Sequence, residues 1–198
     1  IHVSDLDGSN VIQLTPADIL TSFVGLAEED ETSILYYVSA GQTGNVFTLE
    51  ARDLATGETT NLASIEATYS PRADLSPDGR YIAFTHGDGI DLFDLTSGKR
   101  RRLLENEECV VLIQACWTYA DPQWAPAGDV VLMEKGLWES VVHILVRPFE
   151  SPVGVIETAY GFGRPDLSPD GEQLCIWESI GIGGSALVIY HIPTGEVT

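Results

Sequence analysis

The hexapeptide "DLSPDG" occurs twice, at residues 74–79 and at 166–171, and this duplication constrains the fold more than any other feature. The flanking residues match as well, because "RADLSPDGRYIAF" aligns with "RPDLSPDGEQLCI". A partial copy, "PQWAPAGDVVLM", lies about midway between them. The copies recur at roughly 45 residues, which is the period of a protein built from one repeated supersecondary unit.

A second marker recurs beside the first: a glycine turn that follows an apolar segment, at Gly8, Gly57, Gly98 and Gly195. Between the markers we expect four short strands, a to d, because the segments alternate or run apolar over four to eight residues. Only the segment Thr15–Ala27 leaves a helix open. Four strands in each repeat predict an all-β fold, a β-propeller of four-stranded antiparallel blades.

We divide residues 1–198, a single propeller segment, at the repeat markers. Residues 1–15 are expected to be strands c and d of a preceding blade. Successive blades then cover 16–62, 63–104, 105–156 and 157–198, with Ile34–Val38 as strand b of the first. Four blades and a strand pair would leave open edges, so we expect part of a larger propeller. A compact four-bladed closure is the alternative.

The "SPDG" turn, the apolar strand after it and the later glycine turn resemble TolB-type propeller repeats, the WD-like repeats of the Tol–Pal system. "SDLDGSNVIQLT" at the start is similar to them too. The same repeats occur in propellers attached to prolyl-oligopeptidase-type serine peptidases. The resemblance covers nearly the whole chain and implies an extracytoplasmic location, periplasmic or secreted. It implies little about activity, because such propellers carry many unrelated functions.

The composition favours a packed, strongly acidic protein. Hydrophobic residues make up 44% of the chain and the formal net charge is -20. A negative field repels nucleic acids and anionic membranes, which are bound chiefly through Lys and Arg. No apolar run approaches the ~18 residues of a membrane span. We therefore expect neither a nucleic acid partner nor membrane insertion.

Binding residues are expected on one face of the propeller. The a–b and c–d turns carry the repeated motifs, whereas the b–c and d–a connections at the opposite face vary, and variable loops on a rigid scaffold concentrate binding residues. The candidates on this variable face are Tyr69, Arg72, Trp117, Tyr119, Asp121, Trp138, Tyr160, Phe162 and Arg164.

Two chemistries are represented among these candidates. The aromatic side chains could form a rim for a partner or pack between blades. Arg72, Asp121 and Arg164 fall at equivalent repeat positions near the channel mouth. They could hold an acidic ligand group or form inter-blade salt bridges. Cys109 and Cys116 are close enough in sequence to form a disulfide, or they remain two thiols.

No catalytic constellation is expected in this chain. "GGSAL" (Gly183–Leu187) lacks the last glycine of a nucleophile elbow and a helix after it. Some TolB-like propellers resemble pectate-fragment lyases, whose metal is held by several histidines. Here His2, His86, His143 and His191 are assigned to separate strands, so we expect no metal site and no cofactor.

Charged clusters are interpreted as turns and solvated loops. "DLDGSN" (Asp5–Asn10) is too short for a calcium loop of the EF-hand type. "EEDE" (Glu28–Glu31) and "ENEE" (Glu105–Glu108) suit solvated loops. "KRRR" (Lys99–Arg102) lies on an outermost strand, where charge discourages edge pairing.

The leading hypothesis is a non-catalytic propeller scaffold that binds a protein or peptide through its variable face. One alternative is the propeller domain of a larger enzyme, such as a serine peptidase, with its catalytic domain elsewhere. Another is a structural subunit of an assembly. The expected partners are accordingly a protein or peptide, the remainder of a larger propeller, or neighbouring subunits.

Overall fold

The computed structural model describes residues 1–17, 19–29, 32–41, 44–67, 69–106, 118–137, 140–150, 154–179, 184–194 and 196–198. Across these residues every paired strand is antiparallel, and no helix is present. The described residues therefore contain no helical segment long and apolar enough to cross a membrane.

The strands form a leading pair followed by four-stranded blades. The leading pair is β1 (His2–Val3) and β2 (Ile12–Gln13). The first blade contains β3 (Thr21–Glu29), β4 (Thr32–Ala40), β5 (Val46–Asp53) and β6 (Thr59–Glu66). The second contains β7 (Ala73–Leu75), β8 (Tyr81–His86), β9 (Gly89–Asp94) and β10 (Lys99–Glu105).

The third and fourth blades share one strand. The third contains β11 (Thr118–Trp124), β12 (Val131–Leu137), β13 (Ser140–Arg147) and the start of β14 (Gly154–Leu167). The fourth contains the rest of β14 with β15 (Gln173–Ser179), β16 (Ser185–His191) and β17 (Glu196–Val197). β14 pairs with β13 as far as Tyr160 and with β15 from Gly161 onward. One continuous strand is therefore outermost in one blade and innermost in the next.

The predicted all-β fold of four-stranded antiparallel blades is confirmed, as a partial propeller. Segment Thr15–Ala27, where a helix was left open, contributes the start of β3. Ile34–Val38 lies inside β4, as predicted for strand b. Sheets and sequence repeats are slightly offset, since β6 runs to Glu66 whereas the first repeat ends at residue 62.

The duplicated hexapeptide folds into a turn held by its own side chains. In the first copy the backbone N–H of Gly79 donates to the carbonyl oxygen of Ser76 at 2.8 Å. The Ser76 hydroxyl donates to Asp78 Oδ1 at 2.6 Å and accepts from the Tyr81 N–H at 2.8 Å. Gly79 has a φ of 71°, a conformation that favours glycine.

The second copy repeats this network residue for residue. Ser168 bonds Asp170 and Gln173, and Gly171 has a φ of 73°. The hydrogen bond from Ser168 is the main cause that lowers the pKa of Asp170. The motif therefore recurs because each blade needs this turn between strands a and b, which explains its place in the sequence.

The hydrophobic core lies between consecutive blades as three clusters. Phe84 and Leu49 belong to the cluster between the first and second blades. Leu92 and Met133 belong to the next, and Leu132 and Leu174 to the last. Each sheet therefore buries both faces when it has a neighbour on both sides.

Candidate functional site

A groove opens on the predicted variable face, between the second and third blades. Its volume is about 470 Å³. The walls come from the d–a connection before β7, the end of β8 with the b–c turn after it, Asn106 after β10, and the first residues of β11. The lining residues are Ala67, Tyr69, Ser70, Arg72, Thr85, His86, Gly87, Asn106, Thr118, Tyr119 and Ala120.

Arg72 has a fixed backbone and an exposed guanidinium. Its N–H donates to Thr85 Oγ1 at 2.8 Å, and its carbonyl oxygen accepts from the N–H of Thr85 at 2.8 Å. The backbone bond from Thr85 continues the pairing of β7 with β8 by one residue. The side chain remains 73% exposed. The backbone is thus positioned by the sheet while the charge is left available at the groove.

Asp121 faces Arg72 across the blade boundary. The Arg72 Nε and Asp121 Oδ1 atoms are 3.9 Å apart. Asp121 has a φ of 51° and lies where the register of β11 with β12 shifts between Ala120 and Gln123. A non-glycine residue in this region is strained, and such strain often marks sites where a side chain must be aimed. The bulge turns Asp121 toward the second blade.

The pair that Arg72 forms with Asp121 is weak. An exposed ion pair at this distance contributes about 0–1 kcal/mol, because water screens both charges. A ligand carboxylate could therefore displace Asp121 from Arg72 at small cost. The inter-blade salt bridge left open by the sequence is present, and it does not remove Arg72 from the groove.

His86 and Asn106 form the opposite wall of the groove. His86 Nδ1 is 3.4 Å from Arg102 Nη2, so the ring is held beside a cation. The Asn106 side-chain oxygen accepts the N–H of Tyr119 at 3.0 Å, and its own N–H donates to the carbonyl oxygen of Asp88 at 2.7 Å. Asn106 thereby joins the b–c turn of the second blade to β11 and sets the width of the groove.

The described lining of the groove differs in charge from the chain as a whole. Of the lining residues, Arg72 carries a fixed positive charge, and none is Asp or Glu. The whole chain has 30 acidic residues against 10 basic ones. A cation in a concave site focuses its field on whatever enters, and the acidic surroundings exclude anions elsewhere. The site suits a ligand with a localised negative charge and an apolar or aromatic flank.

The structure brings together four of the predicted site residues. Tyr69, Arg72 and Tyr119 line the groove, and Asp121 contacts Arg72. Trp117, Trp138, Cys109 and Cys116 lie outside the described residues. Tyr160, Phe162 and Arg164 lie on β14, and their side chains are outside the description. The binding role of the whole set stays a prediction.

Thr85, His86, Asn106 and Thr118 line the groove and were not predicted from the sequence as binding residues. Three of them belong to segments that the repeat alignment had assigned to the variable face, so the segments were identified although the residues were not. Asn106 is hidden in an acidic run, "ENEE", where its neighbours suggested only a solvated loop.

The histidines occupy the strands to which they were assigned. His2 lies in β1, His86 ends β8, His143 lies in β13 and His191 ends β16. The described part of the chain contains no group of three His, Cys, Asp or Glu residues that could hold a metal. "DLDGSN" folds into a turn, with the N–H of Gly8 donating to the carbonyl oxygen of Asp5 at 2.9 Å.

The basic cluster on β10 is tied to carboxylates and to neighbouring blades. Arg100 and Arg102 both donate to the carboxylate of Asp91, whose side chain is 2% exposed. Arg100 also donates to the carbonyl oxygen of Ser64 in the first blade at 3.4 Å. Arg101 donates to the carbonyl oxygen of Pro148 in the third blade. The cluster lies on the outermost strand as predicted, and it also holds adjacent blades together.

His143 is a buried titratable group on the side of the third blade that faces the fourth. It is 1% exposed, and neither ring nitrogen has a hydrogen-bond partner among the described residues. The register places it opposite Glu134 on β12. Burial lowers the pKa of His143 below its usual 6.5, because a charged ring would lose its hydration there.

This burial predicts an acid-sensitive fold. Below a pH of about 6.5 the unfolded chain binds a proton that the folded ring resists, so stability should fall by up to ~1.4 kcal/mol per pH unit. His143→Leu should remove that part of the decline. The measurement is urea unfolding at neutral and mildly acidic pH, with His2→Gln, at an exposed histidine, as the control. An unchanged acid slope in His143→Leu would contradict the prediction.

Comparison with known proteins supports the fold. No protein-family model matches the sequence, and no curated protein matches it significantly. Among solved structures, TolB from Acinetobacter baumannii aligns with 19% identity and a TM-score of 0.65, over 99% of this chain and 47% of that one. An oligogalacturonate lyase in complex with manganese aligns with 14% identity and a TM-score of 0.65, over 100% and 58%.

A prolyl endopeptidase aligns with 16% identity and a TM-score of 0.58, over 90% of this chain and 29% of that one. The chain spans about half the length of the first two structures. These likenesses confirm the predicted resemblance to TolB-type and peptidase-associated propellers. At such identities they concern the fold.

Proposed function

We propose that this TolB-like partial propeller binds a carboxylate-bearing segment of a protein or peptide in the groove between its second and third blades, without catalysing a reaction. One observation carries the proposal: a groove of about 470 Å³ lined by Arg72, Tyr69 and Tyr119, with no carboxylate among the described residues of its lining. A propeller with this arrangement acts as a scaffold that presents one recognition groove.

The chemistry of recognition follows from the side chains. The Arg72 guanidinium can donate two parallel hydrogen bonds to a carboxylate, which are stronger than neutral ones. Tyr69 is 83% exposed, and a stacked or packed segment would cover it at low entropic cost because it has few rotatable bonds. Thr118 adds a polar side chain to the lining.

Among the residues that the structure describes, the groove offers binding contacts and no nucleophile paired with a general base. The Thr85 hydroxyl lies 3.3 Å from the carbonyl oxygen of Arg72, to which it donates. The ring of His86 points at Arg102, 3.4 Å away. A general base must reach the proton that it removes, and the Thr85 hydroxyl and His86 Nδ1 are engaged with Arg72 and Arg102. Binding is the activity that this arrangement supports.

We expect Arg72→Ala to weaken binding of an acidic peptide about tenfold or more, since a charge-assisted contact contributes ~1.5–3 kcal/mol. The assay is fluorescence anisotropy with labelled peptides that differ only by Glu or Gln at one position. Wild type should prefer Glu, and the preference should weaken with added salt. Tyr69→Ala should weaken both peptides alike.

The matched control is Arg80→Ala, at an exposed arginine in the a–b turn on the opposite face. It should bind as wild type does. Trp138→Ala tests another part of the variable face, to which Trp138 was assigned from the sequence. If Arg72→Ala and Trp138→Ala both bind like wild type, the assignment of binding to this face is wrong.

An extracytoplasmic location belongs to the same proposal, by resemblance to TolB-type repeats; fractionation of the native cells would test it. A second candidate is the propeller portion of a longer peptidase, which the alignment with a prolyl endopeptidase favours. The intact mass of the native protein separates the two candidates. A mass near 21.5 kDa opposes the peptidase. A much larger mass, with labelling by a serine-hydrolase probe, supports it.

A further inference from the structure

A second cavity opens beside the groove, on the same face but one blade boundary earlier. It lies between the first and second blades and has a volume of about 270 Å³. Three of its lining residues also line the groove, namely Ala67, His86 and Gly87. The others are Asn45, Val46, Glu66 and Asp88. The groove and the second cavity are therefore neighbours across a short ridge, and a single bound segment could enter both.

The ridge between the two cavities is held by backbone hydrogen bonds. The N–H of Gly87 donates to the carbonyl oxygen of Glu66 at 2.9 Å, which joins the b–c turn of the second blade to the last strand of the first. The N–H of Ala67 donates to the carbonyl oxygen of Asn45 at 3.1 Å. A Cβ at Gly87 would lie only 3.3 Å from the Glu66 carbonyl oxygen, so the two backbones meet closely. The ridge therefore keeps the groove and the second cavity at a fixed separation.

The two cavities are opposite in charge. The described lining of the groove contains Arg72 and no carboxylate, whereas that of the second cavity contains Glu66 and Asp88 and neither Lys nor Arg. Glu66 is exposed at the end of β6. The ion pairs formed within the described part of the chain do not include it. Its charge is thus available to a bound cation.

Asp88 also keeps much of its charge available. Its side chain is 78% exposed, and its contacts with neighbouring cations are long. Asp88 Oδ2 is 3.7 Å from Arg102 Nη2, and Asp88 Oδ1 is 4.0 Å from His86 Nδ1. Arg102 is bound more closely by the buried Asp91, whose Oδ1 accepts from its Nε at 2.5 Å. A cation that enters the second cavity therefore meets two carboxylates, neither of which is tightly paired.

We infer that the second cavity takes a Lys or Arg side chain of the same segment whose carboxylate binds Arg72. This inference rests on the proposed function and adds a charge pattern to its ligand. A cation is attracted and an anion repelled at the second cavity, while the reverse holds at Arg72, so the two charges fix the direction in which the segment lies.

The dimensions suit such a ligand. A volume of about 270 Å³ is below the ~300–1,000 Å³ that holds a drug-sized molecule, and it fits one long side chain. An extended segment advances ~3.3 Å per residue, so an acidic and a basic residue a few positions apart can reach both cavities. The ligand is accordingly an extended peptide with one acidic and one basic residue at a defined spacing.

The test uses the anisotropy assay with its Glu kept in place. A Lys is introduced one to five positions from that Glu, on either side, and each peptide is compared with its counterpart that carries uncharged acetyl-lysine. We expect one placement to bind about threefold more tightly or better with Lys than with acetyl-lysine, as for exposed ion pairs. Glu66→Gln should remove most of this gain, and Asp88→Asn should reduce it.

The matched control is Glu58→Gln, which removes the same charge from an exposed residue in the c–d turn of the first blade, on the opposite face. It should leave the gain from Lys unchanged. The net charge of -20 could attract any cationic peptide. Such attraction would be equal at every placement of Lys and would fall alike in Glu66→Gln and Glu58→Gln, and that result would overturn the inference.

The same peptides separate this inference from the proposed function. A preference for Glu over Gln that is lost in Arg72→Ala, with no gain from Lys at any placement, would overturn the inference alone. A gain from Lys without a preference for Glu would overturn both, as would an absence of binding. In support, one peptide should show a preference for Glu that depends on Arg72 and a gain from Lys that depends on Glu66.

Discussion

Asp91→Asn is expected to lower the free energy of unfolding by about 3 kcal/mol or more. The carboxylate is 2% exposed and accepts hydrogen bonds from both Arg100 and Arg102, whose side chains are 33% and 27% exposed. Removing this charge leaves Arg100 without a carboxylate partner and Arg102 with only the exposed Asp88, at 3.7 Å. The Asn amide would in addition direct a donor at one of the two guanidinium groups.

Urea unfolding followed by circular dichroism would measure this loss. Glu150→Gln is the matched control, because it removes one carboxylate charge from an exposed pair in which Arg147 Nη1 and Glu150 Oε1 are 3.9 Å apart. That change should cost about 0–1 kcal/mol. Equal losses in the free energy of unfolding for the two substitutions would show that the burial of Asp91 does not determine how much this cluster stabilises the fold.

Gly89→Ala should destabilise the second blade by about 3 kcal/mol or more, since backbone strain and steric overlap act together. Gly89 begins β9 with a φ of 150°, a conformation that residues with a Cβ rarely adopt. A Cβ there would lie 2.0 Å from the carbonyl oxygen of Leu104. This oxygen belongs to the backbone of β10, so relief requires strand d to move away from strand c.

Gly98→Ala separates the two causes. Gly98 has a φ of 65° in the c–d turn of the same blade, and a Cβ there would meet nothing within 4 Å. It should therefore show only the conformational cost, about 1 kcal/mol. Comparison of the two midpoints of thermal unfolding gives the contribution of the overlap. A Gly89→Ala variant no less stable than Gly98→Ala would contradict the predicted contact with β10.

The fold could be predicted because its information is local and repeated. The turn built by Ser76 and Asp78 uses only neighbouring residues, so its sequence signature is the same wherever it occurs. Strands b and c are recognisable from their apolar runs. The shared strand β14 was not foreseen, because whether two strands merge depends on how neighbouring blades are placed and leaves no motif.

The sequence could predict which face of the propeller carries the candidate site, but only some of the residues that form it. Arg72 and Asp121 were identified by their equivalent repeat positions, and the structure brings them together. Asn106 and His86 contribute through contacts with other segments, which a pattern of neighbouring residues does not contain. Asp91 illustrates the same limit: in "IDLFDL" it reads as one polar residue of a strand, and its arginine partners lie on the next strand.

His143 shows a related limit. The strand register aligns His143 with Ile90 in the second blade and with Leu187 in the fourth. Both of these residues are apolar, so His143 occupies a position that apolar side chains fill in the other blades. Sequence reasoning could place the histidine in a strand but not on the side that faces another blade.

The continuity of β14 has a consequence for how the molecule comes apart. The first two blades are joined by a separate connection between β6 and β7, so one sheet can open while the other keeps its hydrogen bonds. The third and fourth blades have no such connection between their sheets, because the single strand β14 pairs with β13 in one blade and with β15 in the next. Loss of pairing on one side frees the strand that the other side uses as its innermost edge. These two sheets therefore form one cooperative unit of unfolding, and a protease that cuts only at exposed hinges would release them together.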